Sequence, residues 1–251
     1  MIDLHCHILH GLDDGPASQE QGLAMARRAV EDGIHTVVAT PHTLNGTYTN
    51  PIEEIVARVA ALREAFSRNH IELTVYAGAD VRLCPGMLEL IKSGHAGTFN
   101  NAGKYILIEL PSQAMPPGVR DEIFSMKLNG ITPIISHPER NPAIQRDSGI
   151  LHELIRMGAL CQVTAMSVMG DFGEAAMGCA EMLITHRLAH VIASDAHSAG
   201  GRPPVLSAAV EAAAELLESY DDALRMVTEV PAAILSGAMP ELPDPLPAWK
   251  S

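Results

Sequence analysis

The sequence predicts an α/β fold, a distorted TIM-like (β/α)7 barrel with helices packed outside a parallel sheet. Three observations predict it. Short runs of apolar and β-branched residues recur seven times, at 2–8, 34–39, 71–78, 104–110, 131–135, 160–164 and 189–194. Longer segments with helical signals separate most of them, the alternation of a parallel sheet covered by helices. The chain has 251 residues, 47% apolar and 19% charged, enough to bury about three quarters of its unfolded surface in one compact unit. Seven units is one short of the eightfold barrel, so distortion is expected.

The elements follow in order. After the first run, Ser18-Gln19-Glu20-Gln21 forms a capping box that opens a helix to about 32. Asn50-Pro51-Ile52-Glu53 supplies an N-cap, a proline at the first helical position and an early acid, opening a helix to about 69. Asn141-Pro142 repeats that start. Gly33, Gly130 and Gly158 stand where a helix hands over to the next strand. From Pro240 onward, Pro-Glu-Leu-Pro-Asp-Pro-Leu-Pro suits neither a helix interior nor a central strand. The expected organisation is a single domain over 1–239 and a proline-rich tail over 240–251, extended on the surface.

Lys and Arg number 17 against 30 Asp and Glu, a net charge of −13. That balance disfavours a nucleic-acid backbone binder, although carboxylates gathered around cations would be counted in it without repelling. Cys6, Cys84, Cys161 and Cys179 form neither a zinc-finger spacing nor a disulfide framework. Met1-Ile2-Asp3-Leu4-His5 lacks the basic start of a signal peptide. No apolar stretch approaches about 20 residues. A cytoplasmic protein without membrane insertion is expected.

Ionisable residues gather at the strand ends. The first run holds Asp3, His5 and His7, which a period of two places on one face, with Cys6 on the other. Asp13 and Asp14 follow. The second run leads to Thr40-Pro41-His42, the third to Asp80, the fourth to Glu109, the fifth to His137-Pro138-Glu139-Arg140 and the seventh to Ser194-Asp195-Ala196-His197. Only the sixth, with Gln162 and Thr164, ends without an obvious ligand. Each residue singly has an ordinary reading as a capping, loop or surface group. Six charge-poor strands ending in His, Asp or Glu on the rim where barrels place their sites point instead to cations. About nine ligands rich in carboxylate and imidazole suit more than one Mn, Fe or Zn ion, and hence hydrolysis by a metal-generated hydroxide. His35, His70, His95, His152, His186 and His190 are read as structural or surface residues, and His10 is left undecided.

Taken together, Asp3-Leu4-His5-Cys6-His7, Asp13-Asp14-Gly15, Ala39-Thr40-Pro41-His42, Gly78-Ala79-Asp80, Leu107-Ile108-Glu109, His137-Pro138-Glu139-Arg140 and Ser194-Asp195-Ala196-His197 resemble the polymerase-and-histidinol-phosphatase (PHP) superfamily. Ile8-Leu9-His10-Gly11-Leu12-Asp13-Asp14-Gly15, Pro138-Glu139-Arg140 and Gly201-Arg202-Pro203-Pro204 resemble, within it, the bacterial PHP-type protein-tyrosine phosphatases of capsule and exopolysaccharide biosynthesis. The resemblance runs from Met1 to about Ser236. It implies a PHP fold with three divalent ions, manganese foremost and iron or zinc as alternatives. It further implies that His5, His7 and Asp195 hold the first ion, that Asp80 bridges to a second completed by Glu109 and His137, and that Asp14, His42 and His197 hold the third. Arg140 and Arg202 would grip phosphate. The implied partner is the phosphotyrosine-rich tail of a bacterial tyrosine autokinase; homo-oligomerisation is left open. One departure stands out: the bridging acid in this family is usually Glu, and Asp80 is one methylene shorter.

The expected reaction is in-line attack on a phosphomonoester, with a tyrosyl leaving group of pKa about 10 that needs little protonation. His42 or His197 is the candidate acid if not committed to metal. A thiol phosphatase is excluded, because the phosphate-loop spacing after the four cysteines reaches Leu12, Leu90, Ser167 and Thr185 rather than Arg. A small-molecule phosphatase such as histidinol-phosphate phosphatase, a PHP phosphodiesterase and a non-catalytic scaffold are the alternatives.

Overall fold

The computed structural model describes residues 1–111 and 115–246. The last part of the expected tail, 247–251, lies outside the described residues. Among the described residues there are nine parallel strand segments: β1 (Ile2–Cys6), β2 (Thr36–Ala39), β3 (His42–Thr43), β4 (Thr74–Ala77), β5 (Asp80–Arg82), β6 (Tyr105–Glu109), β7 (Thr132–Ser136), β8 (Leu160–Thr164) and β9 (Val191–Ala193). They form two sheets, β1-β2-β4 and β3-β5-β6-β7-β8-β9.

The two sheets are one distorted barrel. The second and third predicted strands are each broken in two, at Thr40-Pro41 and at Gly78-Ala79. Backbone bonds carry the pairing across the breaks, with Gly78 N–H donating to Ala39 (2.9 Å) and Asp80 N–H to Pro41 (3.2 Å). On the other side, β9 reaches β1 through a parallel bridge between Cys6 and Ala196. There Asp195 N–H donates to the His5 carbonyl and His7 N–H to the Ala196 carbonyl, both at 2.8 Å. These closing bonds lie beyond the carboxyl end of β9, beside the candidate site. A proline carbonyl and a strand break are therefore part of what aims the site residues.

Most predicted helical signals act as read. The first helix spans Gln19–Glu31, and Ser18 accepts from Gln21 N–H. Asn141 caps the helix Pro142–Arg146 by accepting from Ala143 N–H. Gly33, Gly130 and Gly158 take the left-handed conformation, with φ of 84°, 77° and 96°. Asn50 behaves differently. The helix Ile52–Arg68 has Pro51 at its cap position and no side-chain cap. The Asn50 amide instead donates to the carbonyls of Leu12 (2.9 Å) and His42 (2.7 Å), tying two site loops together.

Alternation sorts the strand residues into two buried layers. Ile106 and Ile108, Ile135, Cys161 and Val163, and Ile192 pack with helix residues such as Met25, Ile55 and Ile123. Tyr105 and Leu107, Ile134, Leu160, Val191 and Ala193 form a second cluster with Ile2, Leu4, Val38, Phe99, Val230 and Ile234. That second cluster is the barrel interior. β1 departs from strict alternation, because its pairing with β2 shifts register between Asp3 and Cys6. Leu4 packs inside with Ile2, and Asp3 does not share a face with His5 and His7.

Candidate metal centre

The interior strand positions change character toward the carboxyl ends. Above Leu107 stands Glu109, above Ile134 Ser136, above Leu160 Gln162 and above Ala193 Asp195. Four groups of side chains there present ligand atoms within 4.8 Å of one another: His7, Asp14, His42 and His197; His5, His7 and Asp80; His5, His137 and Asp195; and His42, Asp80 and Glu109. All nine candidate ligands from the sequence fall in these groups. The groups overlap, since His5, His7, His42 and Asp80 each belong to two of them.

Three histidines are wired alike. His5 Nδ1 lies 2.9 Å from Gln162 Oε1, His7 Nδ1 2.6 Å from Asp13 Oδ2 and His197 Nδ1 2.9 Å from the Asp195 carbonyl. Each Nδ1 faces an acceptor, which favours a ring proton on Nδ1 and turns Nε2 toward the neighbouring site residues. The Nε2 atoms of His5 and His7 then meet at 3.0 Å in the fully buried interior. Two ring nitrogens this close need positive charge between them, a proton or a metal cation. Securing the far ring nitrogen is how metal-binding histidines are oriented.

Other atoms here lack partners. His42 Nδ1, Asp80 Oδ2 and His197 Nε2 are buried without a hydrogen bond. His42 Nδ1 and Asp80 Oδ2 are 3.1 Å apart, a close approach without hydrogen-bond alignment. Asp80 Oδ2 also lies 3.8 Å from His5 Nε2 and 3.9 Å from His137 Nε2, among three imidazoles. Its other oxygen accepts from Ser136 Oγ at 3.0 Å. Unpartnered buried nitrogen and oxygen atoms aimed at one another, from His and carboxylate side chains, fit divalent cations.

The electrostatics likewise call for positive charge among these carboxylates. Burial alone would push His7 down, but the Asp13 and Asp195 carboxylates outweigh it and raise its pKa to about 10. Burial, only partly opposed by Asp195 and Asp80, takes His5 down to about 4. Burial works against ionised Asp195 too, yet His5, His7 and His137 hold its pKa well below the usual carboxylate range. The same contest, won by His137, His42 and His5, keeps Asp80 ionised.

Local backbone detail places these groups. His137 and Asp195 occupy the left-handed region, with φ of 33° and 51°. That conformation costs a non-glycine residue about 1–2 kcal/mol and clusters at functional sites. A Cβ at Gly15 would lie 2.4 Å from the His7 carbonyl and 2.9 Å from Asp13 Oδ1. Only glycine lets the Asp13-Asp14 loop fold onto His7. A Cβ at Gly78 would meet Val38 and Phe99 at 2.7 and 2.9 Å, so the close approach that delivers Asp80 also requires glycine.

Arg140 and Arg202 stand at the edge of the cluster. Arg140 donates to Asp195 Oδ2 at 2.6 Å, and Arg202 donates to the same oxygen and to the Asp195 carbonyl. They are 32% and 27% exposed, within reach of an anion from solvent.

Several contributors lie outside the site residues expected from sequence. Asp13 orients His7 and also accepts from His42 N–H (2.9 Å). Gln162, on the strand read as lacking a ligand, fixes His5. Its inward position at a strand end was the available signal. Arg82 pairs with Glu109 at 3.5 Å. Phe172 lies under both arginines, and nothing in the linear sequence marks it. Asp3 bonds Ser194 Oγ and N–H, in no ligand group. His10 lines a small pocket with Gln19, Arg58 and Leu62 and also joins none.

Fold and rim define a PHP-type α/β barrel whose carboxyl end gathers imidazoles and carboxylates that could hold metal ions, flanked by two arginines. Residues 1–236 match the family described as capsular polysaccharide synthesis, CpsB/CapC, and the chain belongs to that family. It is 37% identical over 225 residues to CapC of Staphylococcus aureus, covering 88% of each chain. It is 35% identical to the tyrosine-protein phosphatase YwqE of Bacillus subtilis, over 79% of this chain and 78% of that one. A structure from the study of YwqE and of CpsB from Streptococcus pneumoniae, described as metal-dependent tyrosine phosphatases, superposes with a TM-score of 0.94 at 31% identity over the whole of both chains. A β-aspartyl dipeptidase from Fervidobacterium islandicum shares the fold at a TM-score of 0.56 and 16% identity, over 97% of this chain and 75% of that one.

Proposed function

We propose that this chain is a divalent-metal-dependent phosphatase that hydrolyses phosphotyrosine in proteins. The observation that carries the reading is the meeting of Arg140 and Arg202 on one oxygen of Asp195, beside buried imidazole nitrogens of His42 and His197 that lack hydrogen-bond partners. The activities named for YwqE and CpsB support it.

His5, His7, Asp14, His42, Asp80, Glu109, His137, Asp195 and His197 would hold the metal, which we take to be three ions with manganese first among them. Bound ions supply Lewis acidity and a water nucleophile at neutral pH. The chain's own residues do the remainder. Arg140 and Arg202 present N–H donors to phosphoryl oxygens and oppose the charge that grows there in the transition state. Gln162 and Asp13 hold His5 and His7 in the tautomer that leaves Nε2 free. A phenolate leaves without much protonation, so His42 and His197 can serve wholly as ligands.

The physiological substrate we infer is the phosphotyrosine-bearing tail of a bacterial tyrosine autokinase that controls capsule or exopolysaccharide synthesis. We place the protein in the cytoplasm, as one catalytic domain over 1–239 followed by the tail. Among the described residues, no helix is long and apolar enough to cross a membrane.

The test is a substrate panel on manganese-loaded protein: phosphotyrosine peptide, phosphoserine peptide, histidinol phosphate and a phosphate bis-ester. Preferred turnover of phosphotyrosine, lost with chelator and restored by Mn²⁺, is expected. Preference for histidinol phosphate or the bis-ester, or turnover indifferent to chelation, overturns the reading.

A further inference from the structure

We propose that Phe172 is a positioning residue for phosphoryl recognition, its ring holding the guanidinium groups of Arg140 and Arg202 as one clamp. The inference rests on the phosphatase reading above and names the group that assembles its anion site.

The two arginines come from separate parts of the fold. Arg140 ends the short turn Pro138–Arg140 after β7, and Arg202 lies in the loop that follows β9. No shared element aligns them, and two like charges brought to one oxygen repel. Phe172 enters from a third segment, the turn after the short helix Ala165–Val168. The Arg140 Cζ stands 4.5 Å from the ring centroid and the Arg202 Cζ 5.7 Å from it. Both fall inside the range in which the negative face of an aromatic ring attracts a cation.

The turn that carries the ring is firmly set. Asp171 N–H donates to the Met166 carbonyl and Gly173 N–H to the Gly170 carbonyl, both at 2.9 Å. Gly170 and Gly173 take φ of 85° and 89°, which a side chain would resist.

The chemistry of the contact suits a phosphate clamp. Asp195 holds the arginines by using their N–H donors, the same donors that a phosphoryl group requires. An aromatic ring attracts a guanidinium without accepting its in-plane N–H bonds, so those edges stay available to an anion. When a phosphomonoester competes with Asp195 for the arginines, the ring keeps both in place.

The experiment compares Phe172→Ala, Phe172→Leu and Phe172→Tyr in the full-length, manganese-loaded protein. It reads kcat and KM on a phosphotyrosine peptide, the Kd of inorganic phosphate by calorimetry, and metal content. Phe172→Ala should raise KM and the phosphate Kd about tenfold, with kcat within about twofold and metal content unchanged. Phe172→Leu restores bulk without a π face and should behave like the alanine variant, whereas Phe172→Tyr should return to the wild-type values. In an Arg140→Ala/Arg202→Ala background, Phe172→Ala should add nothing. Full restoration by leucine, an unaltered phosphate Kd in the alanine variant, or a fall in kcat with no change in KM overturns the proposal. A wild-type protein inert toward phosphotyrosine would sink the phosphatase reading instead, and the phosphate Kd would still decide the role of Phe172.

Discussion

The barrel interior has two halves built on the same strands, and they are opposites. Toward the amino ends, Leu4, Leu107, Ile134, Leu160 and Val191 pack against Val230 and Ile234 of the helix Glu229–Ser236. Toward the carboxyl ends, one or two pleats along the same strands, stand Glu109, Ser136, Gln162 and Asp195. The lower half satisfies itself by burial alone. The upper half carries unpartnered His42 Nδ1, Asp80 Oδ2 and His197 Nε2, and holds His137 and Asp195 in left-handed backbone. Stability and chemistry are thus separated along the strand axis. The apolar half underwrites the strain and buried polarity of the other, whose unpartnered nitrogen and oxygen atoms cations would satisfy.

The sharpest way to break this contrast is to remove one group from each half. His5→Ala should abolish phosphatase turnover and lower metal content while circular dichroism and Tm stay near wild type; normal kcat would contradict its place in the centre. Leu107→Ala, at a fully buried interior position, should cost about 3 kcal/mol of stability in denaturant unfolding, with kcat per folded molecule retained. A Leu107→Ala variant stable but inactive would show that the halves are not separable.

Acid should act away from the rim through His190, just before β9. Its ring is buried, and Nδ1 accepts from Cys161 N–H at 3.0 Å. Burial pushes its pKa from 6.5 down to about 4. The unfolded chain therefore takes up this proton first as pH falls. The contribution is full above pH about 6.5, declines between about 6.5 and 4 and is flat below, a loss of about 3 kcal/mol. His190→Asn keeps an acceptor but does not titrate, so unfolding free energies at pH 7.5 and 4.5 should fall less in the variant than in wild type. Equal losses would remove His190 from the account. The mildest perturbation of the upper half is Gln162→Leu, which frees His5 Nδ1 and should weaken Mn²⁺ binding about 10- to 100-fold in calorimetry without lowering Tm. An unchanged Kd would mean that His5 needs no orienting partner.

Much of the fold and of the rim was legible because it depends on local periodicity. Seven apolar runs, the Ser18 cap and the handover glycines are readable in a few residues each. The nine ligand candidates were legible because charge at the end of an apolar strand is rare without a purpose. Asn50 shows the limit. Its position before Pro51 signals a helix cap, yet two carbonyls distant in sequence or across a loop compete for its amide and win. Asp3 shows another, since a register shift in β1 turns it away from His5 and His7 toward Ser194, and alternation counting has no means of registering a shift set by neighbouring strands.

The sequence by itself determined a parallel α/β barrel and a set of histidines and carboxylates at its carboxyl rim, since strand period and residue chemistry are properties of short segments. Only the tertiary structure decided which candidate ligand faces which, that Gln162 and Asp13 meet the Nδ1 atoms of His5 and His7, and that Phe172 lies beneath Arg140 and Arg202. Those relations join residues from different strands and loops. Their geometry is set by how the broken strands and tight glycine approaches pack, which no single segment encodes.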